Sequence, residues 1–300
     1  MKILPNFQGG GASHMLIDSH CHLDDYPNLP EVLAAAHAAG VTTLLAIGIG
    51  DGPSTMDKAL EIANHTAEHP HNRIPQVFAS AGIHPQEAHQ ATPQALARLE
   101  DLASQPRCIA VGEIGLDYYH LENPNVPTQQ AAFIAQLAIA ARVRKPITLH
   151  CRTSELATPA AKAKFESHGN PNAAWDDMLQ ILRDHWAPTG LPGIMHCFSG
   201  NQAQAEASLA LGFYLSFAGN LTYPTSTTIP AVAAAAPADR ILVETDAPFL
   251  APIPLRGQTN QPANVVLTAE FLAGLRGITP AALAAQTTAN FHALFPTTSP

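Results

Sequence analysis

Charge is scarce in this chain. Only 13% of its 300 residues are Asp, Glu, Lys or Arg, the 15 basic residues face 24 acidic ones, and the formal net charge is −9. That excludes a broad basic face able to neutralise nucleic-acid phosphates by side chains alone. It does not exclude a nucleic-acid enzyme, because bound divalent cations supply positive charge locally. Cysteine is sparse as well. Cys21, Cys108, Cys151 and Cys197 show no Cys-x-x-Cys spacing and are too few for a disulfide framework, so a reducing, cytoplasmic setting is expected. Apolar residues make up 46%, yet the longest runs, such as Ala231 to Ala236, fall well short of the ~20 residues of a spanning helix, and no membrane association is expected. No Gly-x-Gly-x-x-Gly follows the first apolar strand, which counts against an open dinucleotide-binding sheet.

What is present is a repeating alternation of apolar strands and helical segments. Met1 to His14, with Gly9-Gly10-Gly11, lacks the apolar core of a secretory signal and reads as a leader or expression tag before a natural start at Met15. From there Leu16-Ile17 leads into Asp18-Ser19-His20-Cys21-His22, followed by a helical pattern over Asn28 to Gly40 and a buried strand over Val41 to Ile49. Helix Thr55–Glu68, strand Gln76–Ile83, helix Pro93–Ala103, strand Ile109–Ile114, helix Thr128–Val143 and strand Pro146–His150 continue the series. Helix Asp176–His185, strand Gly193–Cys197, helix Ala203–Leu211, strand Phe213–Ala218, helix Ile229–Ala236 and strand Arg240–Glu244 complete eight units. Eight βα units in residues 15–300 predict one α/β domain, a TIM (β/α)8 barrel, with an open doubly wound sheet as the alternative. Residues 153–174, polar and holding Lys162, Lys164, Gly169 and Pro171, look like an insertion after the fifth strand, on the face where such barrels keep their active sites.

The strand ends carry the chemistry. In an extended strand alternate side chains share a face, so His20 and His22 aim at one spot while Cys21 points away. Strand by strand, the C-terminal ends then offer His84, Glu113, His150, His196 and Asp246, all metal-ligand types at the one end where barrel enzymes work. The other histidines, among them His14, His65, His69, His71 and His168, lie in polar or helical surroundings and are expected at the surface.

Six segments in order, Asp18-Ser19-His20-Cys21-His22-Leu23-Asp24, Gly82-Ile83-His84-Pro85, Gly112-Glu113-Ile114-Gly115-Leu116-Asp117-Tyr118-Tyr119, His150-Cys151-Arg152, His196-Cys197-Phe198-Ser199-Gly200 and Glu244-Thr245-Asp246-Ala247-Pro248-Phe249-Leu250, closely resemble the TatD family of metal-dependent deoxyribonucleases. The Arg256-Gly257-Gln258-Thr259-Asn260 segment resembles it too, although Gln258 stands where the family often has Lys, and Cys151 where a small hydroxyl residue is common. The resemblance implies a barrel hydrolase with two divalent ions, Mg²⁺ or Mn²⁺ with Zn²⁺ as a further choice, acting on DNA ends, single-stranded and in the 3′ to 5′ direction, as a monomer. By position, His20, His22 and Asp246 would hold one ion, and Glu113 would bridge to a second held by His150 and His196. Asp246 would orient or deprotonate the attacking water and His84 would contact the phosphate or leaving group. Arg152 and Arg256 would grip phosphate, Tyr118 or Tyr119 would stack on a terminal base or else pack at the barrel rim, and Asp24 and Asp117 would orient ligand imidazoles. Cys151 and Cys197 are expected buried and inert. Related barrels hydrolyse small esters, lactones, amides or phosphoesters, and this stays open as an alternative, with a non-catalytic nucleic-acid scaffold less favoured.

Overall fold

In the computed structural model, which describes residues 15–69, 73–166 and 169–298, eight strands pair in parallel in chain order, β1 to β8. The leader or tag reading of residues 1–14, and the surface placement of His14, His71 and His168, lie outside the described residues. The strands are β1 Leu16–Cys21, β2 Val41–Ala46, β3 Gln76–Ala81, β4 Cys108–Asp117, β5 Ile147–Arg152, β6 Gly193–Met195, β7 Phe213–Phe217 and β8 Ile241–Val243. Between and after them run α1 Leu29–Ala38, α2 Lys58–Glu68, α3 Pro93–Ala103, α4 Val126–Val143, α5 Pro159–Phe165, α6 Ala173–Ile181, α7 Gln202–Ala210, α8 Ile229–Ala235, α9 Val265–Arg276 and α10 Pro280–Leu294. This is the (β/α)8 barrel, and it follows from strands apolar on both faces, one of which must pack on helices and the other inside the ring.

The two cores reflect those faces. Ile17, Leu45, Phe78, Ile109, Ile194, Tyr214 and Leu242, each from a different strand, form one cluster with Phe291 and Phe295 near the end of α10. Residues from so many strands meet only inside the ring, so these fill the barrel and α10 helps to close it. The larger cluster joins the outward faces to the helices. Helix starts are written in the sequence: Thr92, Thr158 and Thr279 each precede a proline and accept a backbone N–H from the first turn of α3, α5 and α10.

The ring closes between its first and last strands. The amide of His22 donates to the carbonyl of Ala247 at 2.7 Å and that of Asp246 to the carbonyl of His20 at 3.0 Å. The buried carboxylate of Asp18 accepts the amide of Thr245 at 2.9 Å and its hydroxyl at 2.6 Å. Burial outweighs these donors and pushes the Asp18 carboxyl up to about 8.

Three details differ from expectation. β6 and β8 stop before Cys197 and Glu244, because the chain turns out of the sheet, with φ of 42° at Cys197 and 55° at Asp246. Residues 153–174 are not a bare polar loop. They contain α5, whose Phe165 is buried and whose Lys164 donates to the carbonyls of Leu121 (2.7 Å) and Asn123 (2.5 Å), fastening it to the loop after β4. Beyond β8, α9 and α10 add a helical pair for which the periodic reading had no assignment. Among the described residues no single helix is long and apolar enough to cross a membrane.

Candidate metal centre

At the C-terminal end of the barrel a cavity of about 610 Å³ opens between the loops, lined by His22, His84, Glu113, His150, His196 and Asp246 among others. Glu113 sits at its centre, delivered by β4. Gly112 and Gly115 flank it with φ of 154° and 142°, and a Cβ at Gly115 would run into the carbonyl of His150, so only glycine lets β4 and β5 approach this closely.

Around Glu113 the nitrogens and carboxylate oxygens keep a regular spacing. His20 Nε2 stands 3.3 Å from Glu113 Oε2 and 3.6 Å from Asp246 Oδ1, and His22 Nε2 is 3.5 Å from the same Asp246 oxygen. His196 Nε2 is 3.0 Å and His84 Nε2 3.6 Å from Glu113 Oε1. Two ligand atoms about 2.1 Å from one tetrahedral ion lie ~3.4 Å apart, which is the spacing seen here and longer than most hydrogen bonds. Among the described residues both ring nitrogens of His20 are buried with no hydrogen-bond partner, although Nε2 lies near two carboxylates; distance alone does not line up a bond. A buried unpaired nitrogen costs about 1–3 kcal/mol, and a cation would meet that need at Nε2. The donor set fits a metal. Three groups have ligand atoms within 4.8 Å of one another: His20, His196 and Asp246; His20, His22 and Glu113; and His84, Glu113 and His150.

Partners on the far side of each ring fix which nitrogen faces the centre. His196 Nδ1 bonds Glu244 Oε1 at 3.0 Å, the same oxygen that accepts the Cys197 amide at 2.7 Å, leaving Nε2 free to ligate. His150 Nε2 bonds Asp117 Oδ2 at 3.3 Å and turns Nδ1 to Glu113 at 2.7 Å. His84 is the reverse case: its Nδ1 accepts the amide of Gln86 at 3.2 Å, so Nε2 carries the proton and faces the centre as a donor.

Electrostatics follow the same map. Burial alone pushes the Glu113 carboxyl up, but the imidazoles of His196, His150 and His20 overcome it and hold it well below the usual carboxylate range. Burial works against charging His196 and His150, yet Glu113 with Glu244 raises His196 well above normal, and Asp117 with Glu113 carries His150 up to about 9. His20, buried beside His196 with ring centroids 3.7 Å apart, is pushed down.

The structure therefore brings His20, His22, His84, Glu113, His150, His196 and Asp246 together, with Asp117 behind His150 as expected. Arg152 reaches the cavity wall, its guanidinium 3.8 Å over the ring of Tyr119. Four expectations are corrected. Tyr118 is 1% exposed, stacked on Phe165 and bonded through its hydroxyl to Asp177 at 2.7 Å, so no ring face is free for a base. Asp24, half-buried in the turn after β1, bonds no imidazole among the described residues; Glu244, for which no role was expected, does. Arg256 lies exposed 4.4 Å over Tyr223 and off the cavity wall. Cys151 and Cys197 are only partly buried and line the cavity, although burial pushes both thiols well up.

Comparison with known proteins agrees with this geometry. The family described as TatD related DNase matches residues 17–296. The uncharacterized metal-dependent hydrolase YcfH of Escherichia coli is 36% identical over 286 residues, covering 93% of this chain and 95% of its own. The 3′-5′ ssDNA/RNA exonuclease TatD of Salmonella typhimurium is 34% identical over 278 residues, covering 88% of this chain and 92% of its own. The crystal structure of YJJV, a TatD homologue from Escherichia coli, superposes with a TM-score of 0.76 at 27% identity, covering 94% of this chain and 98% of that one. With the barrel, the ligand-type residues at its strand ends and these matches over nearly the whole chain, the protein belongs to the TatD family of metal-dependent hydrolases.

Proposed function

We propose that this hydrolase cleaves phosphodiester bonds at nucleic-acid ends, acting on single-stranded DNA from 3′ to 5′. The observation that carries the reading is the clustering of Glu113 and Asp246 with the imidazoles around the unpartnered nitrogens of His20, a donor set suited to two neighbouring cations. In this reading His20, His22 and Asp246 would hold one ion and His150 and His196 the other, with Glu113 as a ligand available to both. Mg²⁺ or Mn²⁺ suits the oxygen-rich substrate, and Zn²⁺ suits the imidazoles. Cations bound there lower the pKa of water and offset charge on the phosphoryl oxygens.

The chain's own groups divide the remaining work. Asp246, its side chain 14% exposed to the cavity, is the carboxylate best placed to take a proton from the attacking water. His84, protonated at Nε2, donates to a phosphate or leaving oxygen. Arg152, oriented on Tyr119, offers a flat fork that can grip a phosphate. The name of the Salmonella typhimurium relative supports the single-stranded end as substrate.

The test is a time course on oligonucleotides labelled at one end, single- and double-stranded, in Mg²⁺, in Mn²⁺ and in chelator, with His20→Ala alongside. The expected result is a ladder shortening from the 3′ end, needing metal and absent in the variant. Hydrolysis of small esters or lactones with intact DNA would keep the metal centre and remove the substrate.

A further inference from the structure

Phe249 stands three residues beyond Asp246, 54% exposed, on the wall of the metal cavity. A singly exposed apolar side chain needs no explanation. The way this one is presented does. Its amide donates to the carbonyl of Asp246 at 2.8 Å, its carbonyl accepts from the buried side chain of Asn260 at 2.7 Å, and the neighbouring carbonyl of Pro248 accepts the Asn260 amide at 3.0 Å. The backbone is thus pinned on both sides of a ring that is left bare. That ring meets His22 edge to face, centroids 5.8 Å apart. Across the mouth stand Arg152 and Tyr119 at the ends of β5 and β4, opposite β8 in an eight-strand ring. One rim carries a cation, the other an apolar platform, and the ligand cluster lies between.

We infer that Phe249 is a nucleobase platform: with the scissile phosphate over Glu113 and Asp246, an adjacent base lies on the open part of the Phe249 ring while the strand runs toward Arg152. This rests on the nucleic-acid reading above and gives it the stacking group that Tyr118, buried under Phe165, does not supply. Every base has a π-face and a phenyl ring has no hydrogen-bonding edge, so the platform reads the presence of a base and not its identity.

The experiment compares kcat/KM on a single-stranded oligonucleotide with that on copies carrying one abasic residue at the terminal, second or third position, for wild type, Phe249→Ala and Phe249→Trp. In wild type, one abasic position is expected to lower kcat/KM on the order of tenfold, mainly through KM, as for loss of one stacked base. In Phe249→Ala the intact-to-abasic ratio at that position falls to near one, and in Phe249→Trp it is kept or rises. An unchanged ratio in Phe249→Ala, with metal content and melting temperature as in wild type, overturns the assignment. If wild type cuts no oligonucleotide in any ion, the nucleic-acid reading itself falls, and the platform with it.

Discussion

Glu244→Gln tests how the centre is held together. Glu244 is wholly buried, its Oε1 accepts both His196 Nδ1 and the Cys197 amide, and its Oε2 has no partner among the described residues. A glutamine oxygen can accept the same two bonds, and its amide group replaces one unpartnered polar atom by another. The metal-free fold keeps those bonds but loses the charge that helps to raise His196, so it too is weakened, and the comparison rests on the shift each protein gains from metal. What is lost is the negative charge that, in the proposed function, would polarise His196 toward a bound ion, and removing such supporting groups typically weakens metal binding ~10–100-fold. A protein at about 100 times its Kd for metal gains ~2.7 kcal/mol, and one weakened tenfold to a hundredfold keeps only ~1.4 to ~0.4. The missing ~1.3–2.3 kcal/mol corresponds to a Tm lowered by ~3–9 °C in a domain of this size. Calorimetric melting of both proteins, in chelator and across a Mn²⁺ series, reads this directly. Equal metal-induced shifts in the two would mean that Glu244 does not support a ligand and that His196 does not hold an ion as argued.

Further outcomes follow from other groups. Asp18 has its folded pKa raised to about 8 from an ordinary 3.8, so the folded state holds the extra proton between those values and Asp18's contribution to stability falls as pH rises through them. Asp18→Asn can keep the bonds accepted from the backbone amides and reverse the one with the Thr245 hydroxyl, so urea melts at pH 5 and pH 8 should show the variant gaining on wild type as pH rises; parallel curves would count against the buried neutral carboxyl. Gly115→Ala puts a methyl into the His150 carbonyl at a positive φ and should cost upwards of ~3 kcal/mol, read as a lowered denaturation midpoint. Arg152→Lys loses the flat stack on Tyr119 and the paired donors; KM for oligonucleotides should rise on the order of tenfold with kcat less affected, and an equal fall of kcat alone would move Arg152 into the chemical step.

Much of the barrel could be read because parallel strands are continuous apolar runs. Val41 to Ile49 and Phe213 to Ala218 announce themselves, and two-residue alternation put His20 and His22 on one face. Element ends were less legible: the apolar run continues past Met195, whereas hydrogen bonding stops where the backbone turns at Cys197. The stretch 153–174 reads as polar loop by composition, yet Thr158-Pro159 is a capping signal, and Thr279-Pro280 marks α10 in the same way. Glu244 went without a role because what it does depends on His196, 48 positions earlier, brought beside it only by the closed ring. For Tyr118 the sequence allowed base stacking or rim packing alike, and only the fold, by laying Phe165 from α5 over its ring, decides for packing.

The seam between β1 and β8 ties synthesis to activity. Asp18 and Thr245 lie 227 positions apart, and the ligand-type residues His20 and Asp246 sit on the two sides of that join. While a ribosome is still extending the chain, the first strand must wait for the last before the centre has its full set of donors. A chain that ends before the eighth strand lacks Asp246 and leaves the Asp18 carboxyl without Thr245, so the barrel end that gathers these groups is assembled last.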